Sequence, residues 1–180
     1  MKKKLLFLVI GLQTLFLLGL VFQQERTLKN GKLIMLETVP VDPRDLLRGD
    51  YVILSYPMSS IPLNTMQPSV EVGSQGKTIY VLLEQHGKFY EKVAASYERL
   101  EPSQRQILLV GTDVTAWSDP SMRRIDYGLE RFYVPEGKGQ LPWNKKITVE
   151  VAVPASGKPV LKDLFVDGIP FREFLKQPKS

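Results

Sequence analysis

The chain has 180 residues, of which 43% are hydrophobic and 24% are charged, a composition typical of globular proteins and not of disordered chains. Its net charge is +5, but removing Lys2, Lys3 and Lys4 from the 24 basic residues leaves 21 against 19 acidic ones, too even a balance for a nucleic-acid-binding surface. The sequence has no cysteine, which excludes disulfides, thiolate zinc sites and iron–sulfur clusters.

The N-terminus has the pattern of a membrane anchor. The three lysines precede an uncharged stretch, Leu5 to Phe22, and polar residues follow as far as Arg26. As a helix, this stretch is about 27 Å long, close to the thickness of the bilayer's hydrocarbon core. It ends without a small-residue cleavage site, so we predict an uncleaved signal anchor whose partner is the lipid bilayer. The positive-inside rule places the lysines in the cytoplasm and residues from 27 onward outside it.

The rest of the chain has the pattern of short strands. We predict a β-rich domain over residues 27–175, which begins with a short linker and turn at Leu28 to Gly31, and a polar tail over 176–180. Apolar runs and period-2 alternation, separated by proline and glycine turns, predict the strands. The predicted fold is all-β, an antiparallel β-barrel or β-sandwich behind one transmembrane helix. The strands are Leu33 to Leu36, a strand from Tyr51, Thr78 to Glu84, Phe89 to Tyr97, Ile107 to Val110, Arg124 to Val134, Ile147 to Val153 and Val160 to Val166.

The stretch from Pro40 to Tyr56 combines turn signals with carboxylates in front of an apolar strand. Its prolines fix φ and favour extended geometry in the residues before them. Asp42 accepts backbone hydrogen bonds in such turns, and Gly49 supplies the freedom for a tight entry into the strand. Two interpretations stay open. The stretch is either a well-formed loop and strand or a surface loop whose Asp and Arg groups contact a partner.

Gly49 to Tyr56 reads G-D-Y-V-I-L-S-Y and resembles the signature of the GDYXXLXY protein family. The lead-in, Pro40 to Arg48, and a second block, Tyr127 to Gly139, are similar to other segments of that family. The resemblance implies a membrane-anchored protein without an established biochemical role, a small companion of multi-pass membrane proteins. We therefore predict a single-pass protein of the bacterial inner membrane, with its main domain extracytoplasmic and a multi-pass membrane protein as its partner. The matching signature positions are Gly49, Asp50, Tyr51, Leu54 and Tyr56.

The sequence contains few of the residue types that common catalytic sites use. His86 is the sole histidine and is predicted to lie exposed at a hairpin turn, and there is no phosphate-binding glycine loop. The acidic residues near the signature do not form a regular calcium-binding loop. We therefore predict no catalytic residue, no metal and no cofactor.

A hydrolase is the alternative. R-G-D-Y-V resembles the glycine–aspartate turn of signal-peptidase-like β folds, which use a serine nucleophile and a lysine base. A carboxylate pair, Asp50 with Glu130, is a second catalytic possibility. The serine version draws on Ser59 or Ser60 with Lys77, Lys88 or Lys92.

The second block carries the remaining polar candidates. Either Arg44 or Arg48 pairs with Glu130 or Glu136 and holds two loops together, or both blocks converge on one surface. Aromatic residues and arginine are enriched in interface cores, which favours a surface that docks a membrane partner. We therefore predict a membrane-anchored binding or accessory subunit. Its candidate contact residues are Asp42, Arg44, Asp45, Arg48, Asp50, Tyr51, Tyr56, Glu130, Arg131, Tyr133 and Glu136.

Overall fold

The computed structural model describes residues 2–39, 51–63, 66, 75–115, 121–135 and 145–177. Within them the chain forms a long N-terminal helix, a series of short strands and a final helix of one turn, so the predicted β-rich fold is confirmed. In chain order the elements are α1 (Lys2–Asn30), β1 (Lys32–Glu37), β2 (Tyr51–Ile53), β3 (Ser60–Pro62), β4 (Thr78–His86), β5 (Phe89–Ser96), β6 (Gln106–Asp113), β7 (Met122–Asp126), β8 (Arg131–Tyr133), β9 (Ile147–Val153), β10 (Val160–Val166), β11 (Ile169–Pro170) and α2 (Phe171–Phe174).

Helix α1 is long and apolar enough to cross a membrane over Leu6–Asn30. Its large apolar side chains between Leu6 and Phe22 are 42–72% exposed, and the protein buries none of its most apolar stretch. Lipid acyl chains would cover such a surface. The polar Thr14 within it is satisfied locally, because its hydroxyl donates to the Ile10 carbonyl oxygen at 2.9 Å.

Helix α1 joins the sheet through a single residue. The predicted linker at Leu28 to Gly31 is wrong over its first three residues, because the helix continues to Asn30. The Gly31 N–H donates to the Thr27 carbonyl oxygen at 2.8 Å. A Cβ at Gly31 would lie 2.6 Å from that oxygen and 3.1 Å from the Val153 nitrogen, so the close approach to β9 leaves no room for a side chain. The helix therefore enters the sheet without a flexible tether.

Most strands form one large sheet, in the order β11-β10-β9-β1-β5-β4-β6-β7-β3, while β2 and β8 form a separate pair. The strand pairs are antiparallel with one exception among the described residues, β1 and β5, which run parallel at Met35 and Phe89. The sheet is therefore mixed. In the described part of the chain its outer strands, β11 and β3, do not pair with each other. Of the two predicted architectures, the fold is thus sandwich-like and not a closed barrel.

The core follows the predicted alternation most clearly in β9. Val149, Val151 and Val153 face the interior and are at most 5% exposed. Ala152 points the other way and is also buried, because the chain at Gly31 packs against it. The small side chain at this position lets α1 and the sheet approach closely.

A buried ion pair lies where β6 ends beside β7. Asp113 is fully buried, and the Nε atom of Arg123, 5% exposed, is 3.7 Å from its carboxylate. The same carboxylate accepts hydrogen bonds from the hydroxyls of Tyr97 and Thr115, each at 2.5 Å, and from the Thr115 N–H at 2.9 Å. Such additional hydrogen bonds offset the cost of removing the charges from water. The cluster holds the end of β6 against β7.

Candidate functional site

The signature segment and the second block meet in the small sheet. Strands β2 and β8, which we call the ribbon, pair Tyr51 with Tyr133, Val52 with Phe132, and Ile53 with Arg131. Successive side chains of a strand point to opposite faces. The ribbon therefore has an inner face, Val52 and Phe132, and an outer face, Tyr51, Ile53, Arg131 and Tyr133.

The outer face is apolar, aromatic and cationic. The rings of Tyr51 and Tyr133 pack edge to face with their centroids 6.1 Å apart. The guanidinium carbon of Arg131 lies 5.5 Å from the centroid of the Tyr51 ring, within cation–π range. Tyr133 is 72% exposed and Ile53 is 45% exposed. Val39 pairs with Ser55 beside the ribbon and adds another exposed apolar side chain next to this face.

The inner face attaches the ribbon to the protein. Val52 is buried, and Phe132 packs edge to face against Phe171 of α2 at 5.6 Å between centroids. Two further signature residues, Leu54 and Tyr56, are 3% and 2% exposed and belong to the core. The described part of the signature therefore divides into one surface tyrosine, Tyr51, and two core residues.

Tyr56 connects the signature to the second block by a buried hydrogen bond. Its hydroxyl donates to the Leu129 carbonyl oxygen at 2.8 Å. Burial, and to a lesser degree the nearby Glu130 carboxylate, raises the pKa of Tyr56, so the hydroxyl keeps its proton. The Leu54 N–H donates to the Glu130 carbonyl oxygen at 2.9 Å. Tyr56 therefore stabilises the fold and, because it is buried, cannot contact a partner.

A turn separates β7 from β8, so the extended run predicted over Arg124 to Val134 is interrupted. Gly128 makes the turn with φ +75°, a conformation that side chains disfavour. The Tyr127 hydroxyl donates to the Met58 carbonyl oxygen at 2.9 Å and fixes the turn against the chain that follows β2. Alternation alone did not reveal this turn, although a glycine inside a predicted strand, as at Gly128, is a typical signal of a break in that strand.

Two carboxyl groups close the turn. The Tyr127 N–H donates to Glu130 Oε1, and the Gly128 N–H donates to Asp126 Oδ1, both at 2.8 Å. The carboxyl groups of Asp126 and Glu130 also bond to each other. Burial, then the bond to Asp126, raises the pKa of Glu130 to about 7. The bond to Glu130, then the Gly128 N–H, lowers the pKa of Asp126.

The predicted contact residues separate into three groups. Tyr51, Arg131 and Tyr133 come together on the outer face of the ribbon, whereas Tyr56 is buried and Glu130 closes the turn. Sequence reasoning did not single out Asp126 or Tyr127, because the Asp-x-x-x-Glu spacing becomes meaningful only once the turn is seen. The remaining candidates lie outside the described residues: Asp42, Arg44, Asp45, Arg48, Asp50 and Glu136.

The hydrolase candidates are dispersed. Ser59 is buried, and its hydroxyl has no hydrogen-bond partner among the described residues. Ser60 lies on β3. Lys92, whose pKa is lowered by burial, lies on β5, which is four strands away from β3 in the sheet order. The carboxyl partner that the structure gives Glu130 is Asp126, while Asp50 lies outside the described residues. His86 is exposed at the β4–β5 turn, as predicted.

Comparison with known proteins gives one match. The family described as GDYXXLXY protein matches residues 13–164, from within α1 into β10. No curated protein and no solved structure matches the chain. The match covers most of the sequence and includes both segments that form the ribbon. The chain therefore belongs to the GDYXXLXY protein family.

Proposed function

We propose that the protein is a membrane-anchored accessory subunit whose outer ribbon face docks an integral membrane protein outside the cytoplasm. The observation that carries the proposal is the cluster of half-exposed Tyr51 with exposed Ile53, Arg131 and Tyr133 on one face of a two-stranded sheet. Aromatic residues and arginine dominate the energetics of protein interfaces. A contiguous apolar surface on an otherwise well-packed domain is typical of an interaction site.

The attachment of α1 supports a partner within the membrane. The helix runs from the predicted span, which ends at Phe22, to Asn30, which is about 12 Å of additional helix. Because only Gly31 separates it from β1, the domain stays close to the bilayer surface. A partner with a surface at that height, such as the extracytoplasmic loops of a multi-pass protein, is within its reach. The lysines before the span favour a cytoplasmic N-terminus.

Site-specific photocrosslinking in native membranes tests the proposal. A benzoylphenylalanine residue replaces Ile53 on the ribbon or Val93 on β5, two exposed aliphatic strand residues with the same exposed fraction, 45%. We expect Ile53 to give one discrete crosslinked species containing a multi-pass membrane protein, and Val93 to give none. Equal crosslinking at both positions, or no crosslink at Ile53, contradicts a specific docking face.

The predicted orientation has its own test. Alkaline phosphatase, which is active only outside the cytoplasm, is fused after Gln177 or in front of Lys2. Activity of the first fusion and inactivity of the second is the expected result, since the positive-inside rule keeps the lysines in the cytoplasm. The reverse pattern would overturn the extracytoplasmic placement of the domain. The hydrolase alternative stays a prediction, which labelling by a serine-directed probe would test.

A further inference from the structure

The turn between β7 and β8 brings two acidic side chains into direct contact. Asp126 and Glu130 hydrogen-bond to each other, although both groups accept hydrogen bonds when they are ionised. A hydrogen bond between two carboxyl groups therefore requires a shared proton. Each group also accepts a backbone N–H at 2.8 Å, from Gly128 and Tyr127 respectively, so the pair is fixed in place. The closed turn therefore contains one proton that the two carboxyl groups share.

The same turn holds the ribbon. Leu129 and Glu130 offer their carbonyl oxygens to the Tyr56 hydroxyl and the Leu54 N–H, at 2.8 Å and 2.9 Å. Strands β2 and β8 pair over three residues each, and an isolated pair of strands of this kind is marginal in water. The position of β8 therefore depends on the turn that precedes it.

The groups that face the pair favour retention of the proton by Glu130. Tyr56, on the segment after β2, and Tyr127, in the turn itself, approach Glu130 as neutral, buried hydroxyl-bearing side chains. The cation that acts on the pair is Arg131 of β8, whose positive charge favours the ionised form of Asp126. Glu130 is the more buried carboxyl, and desolvation disfavours its charged form. Among the described residues, this arrangement makes Asp126 the carboxylate and Glu130 the acid.

We infer that the Asp126–Glu130 pair is a proton-controlled latch that holds β8 on the ribbon and so makes docking by the outer face dependent on pH. With the proton present, the two carboxyl groups bond and the turn is closed. Loss of the proton places two adjacent negative charges in the turn, and their repulsion favours its opening. Opening of the turn breaks the hydrogen bonds that the Tyr56 hydroxyl and the Leu54 N–H donate to the carbonyl oxygens of Leu129 and Glu130. The effect on docking rests on the proposed function, whereas the pH-dependent closure of the turn does not require a partner.

The direction of the pH dependence follows from linkage. The pKa of Glu130 is about 7 in the closed turn, above its ordinary value of 4.5 in an opened one. The contribution of Glu130 to the latch is therefore fully present below about pH 4.5, weakens as the pH rises toward 7, and is lost above that value. The contribution of Asp126 to the stability of the closed turn depends on pH in the opposite direction. Its pKa is lowered, so its contribution to the closed turn is lost only in more acidic solution, as the pH falls through that lowered pKa.

Hydrogen exchange of the full chain in detergent micelles, from pH 5 to 8.5, tests the latch after correction for the intrinsic pH dependence of exchange. We expect protection of peptides covering 51–56 and 129–134 to fall roughly tenfold between pH 5 and 7 and then to stay level. Protection of β4 and β5 should not change. Glu130→Gln preserves the shape and a donor for Asp126, so its ribbon peptides should stay protected at every pH.

Glu91→Gln is the matched control, because Glu91 is exposed on β5, away from the ribbon. It should keep the wild-type pH dependence. A pH step that persists in Glu130→Gln, or ribbon protection that is independent of pH in the wild type, overturns the latch. If the latch holds, crosslinking at Ile53 should be greater at pH 5.5 than at 8. Exchange that behaves as expected without any crosslink would overturn the docking function and leave the latch intact.

Discussion

The large sheet and the ribbon are built from the same kinds of residue but are stabilised differently. The sheet has strands of up to nine residues with side chains buried on successive positions, as in Val81, Leu82 and Leu83. The ribbon has strands of three residues and buries one face, with Val52 and Phe132 inward and tyrosines outward. Long, doubly covered strands serve stability, whereas a short strand pair with an exposed aromatic face is suited to contact.

Removing the buried acid of the large sheet should have the largest effect on stability. Asp113→Ala leaves the Arg123 guanidinium buried without its counter-charge, and breaking such a pair costs about 3–5 kcal/mol. Denaturant unfolding of the protein in detergent measures the loss. Asp163→Ala serves as a control, because Asp163 lies in the sheet but is only partly buried. Equal losses for the two variants would contradict a special role for the cluster.

The second-largest loss of stability should come from truncating a core side chain of the large sheet. Leu109 on β6 is fully buried, so Leu109→Ala leaves a cavity and should lower the free energy of unfolding by about 3 kcal/mol. Val93→Ala, at an exposed position of the same sheet, should change it by less than about 0.5 kcal/mol. A large loss for Val93→Ala would mean that another element covers that face.

Much of this sheet was predictable from the sequence. Alternation in β9 and the turn signals of the β4–β5 hairpin depend on local chemistry, and both predictions are confirmed. The parallel contact of β1 with β5 joins residues about fifty positions apart, and no local pattern reports it. The extension of α1 to Asn30 escaped prediction because its polar residues do not continue the apolar span.

The candidate site was predictable only in part. Tyrosines and arginine in both blocks indicated a common surface, and the pairing of β2 with β8 brings three of the predicted residues, Tyr51, Arg131 and Tyr133, together on it. Alternation puts Tyr51 and Tyr56 on opposite faces of the strand, but Val52, Ile53 and Leu54 are all apolar, so the sequence could not show which of the two faces is exposed. In the structure the even-numbered residues Val52, Leu54 and Tyr56 are buried, and the Tyr56 hydroxyl contacts Leu129, whereas Tyr51 lies on the outer face.

The buried hydrogen bond that joins the two blocks should have an intermediate effect. Tyr56→Phe removes the hydroxyl and leaves the Leu129 carbonyl oxygen unpaired, which should lower the free energy of unfolding by about 1–2 kcal/mol. Tyr51→Phe, at the half-exposed position, should change it by less than about 0.5 kcal/mol. Thermal unfolding of both variants checks the difference. Equal effects would show that the two tyrosines are not distinguished by the fold.

The smallest effect on stability should accompany the largest effect on docking. Tyr133→Ser removes an exposed ring from the outer face, so the unfolding free energy should change by less than about 0.5 kcal/mol. The most direct test of the account compares this variant with Tyr56→Phe by measuring, for each, both thermal stability and the yield of the Ile53 crosslink in native membranes. We predict that Tyr133→Ser keeps its melting temperature and loses most of the crosslink. A crosslink yield that is unchanged by Tyr133→Ser, or that falls only when the melting temperature falls, would contradict the docking role of the outer face.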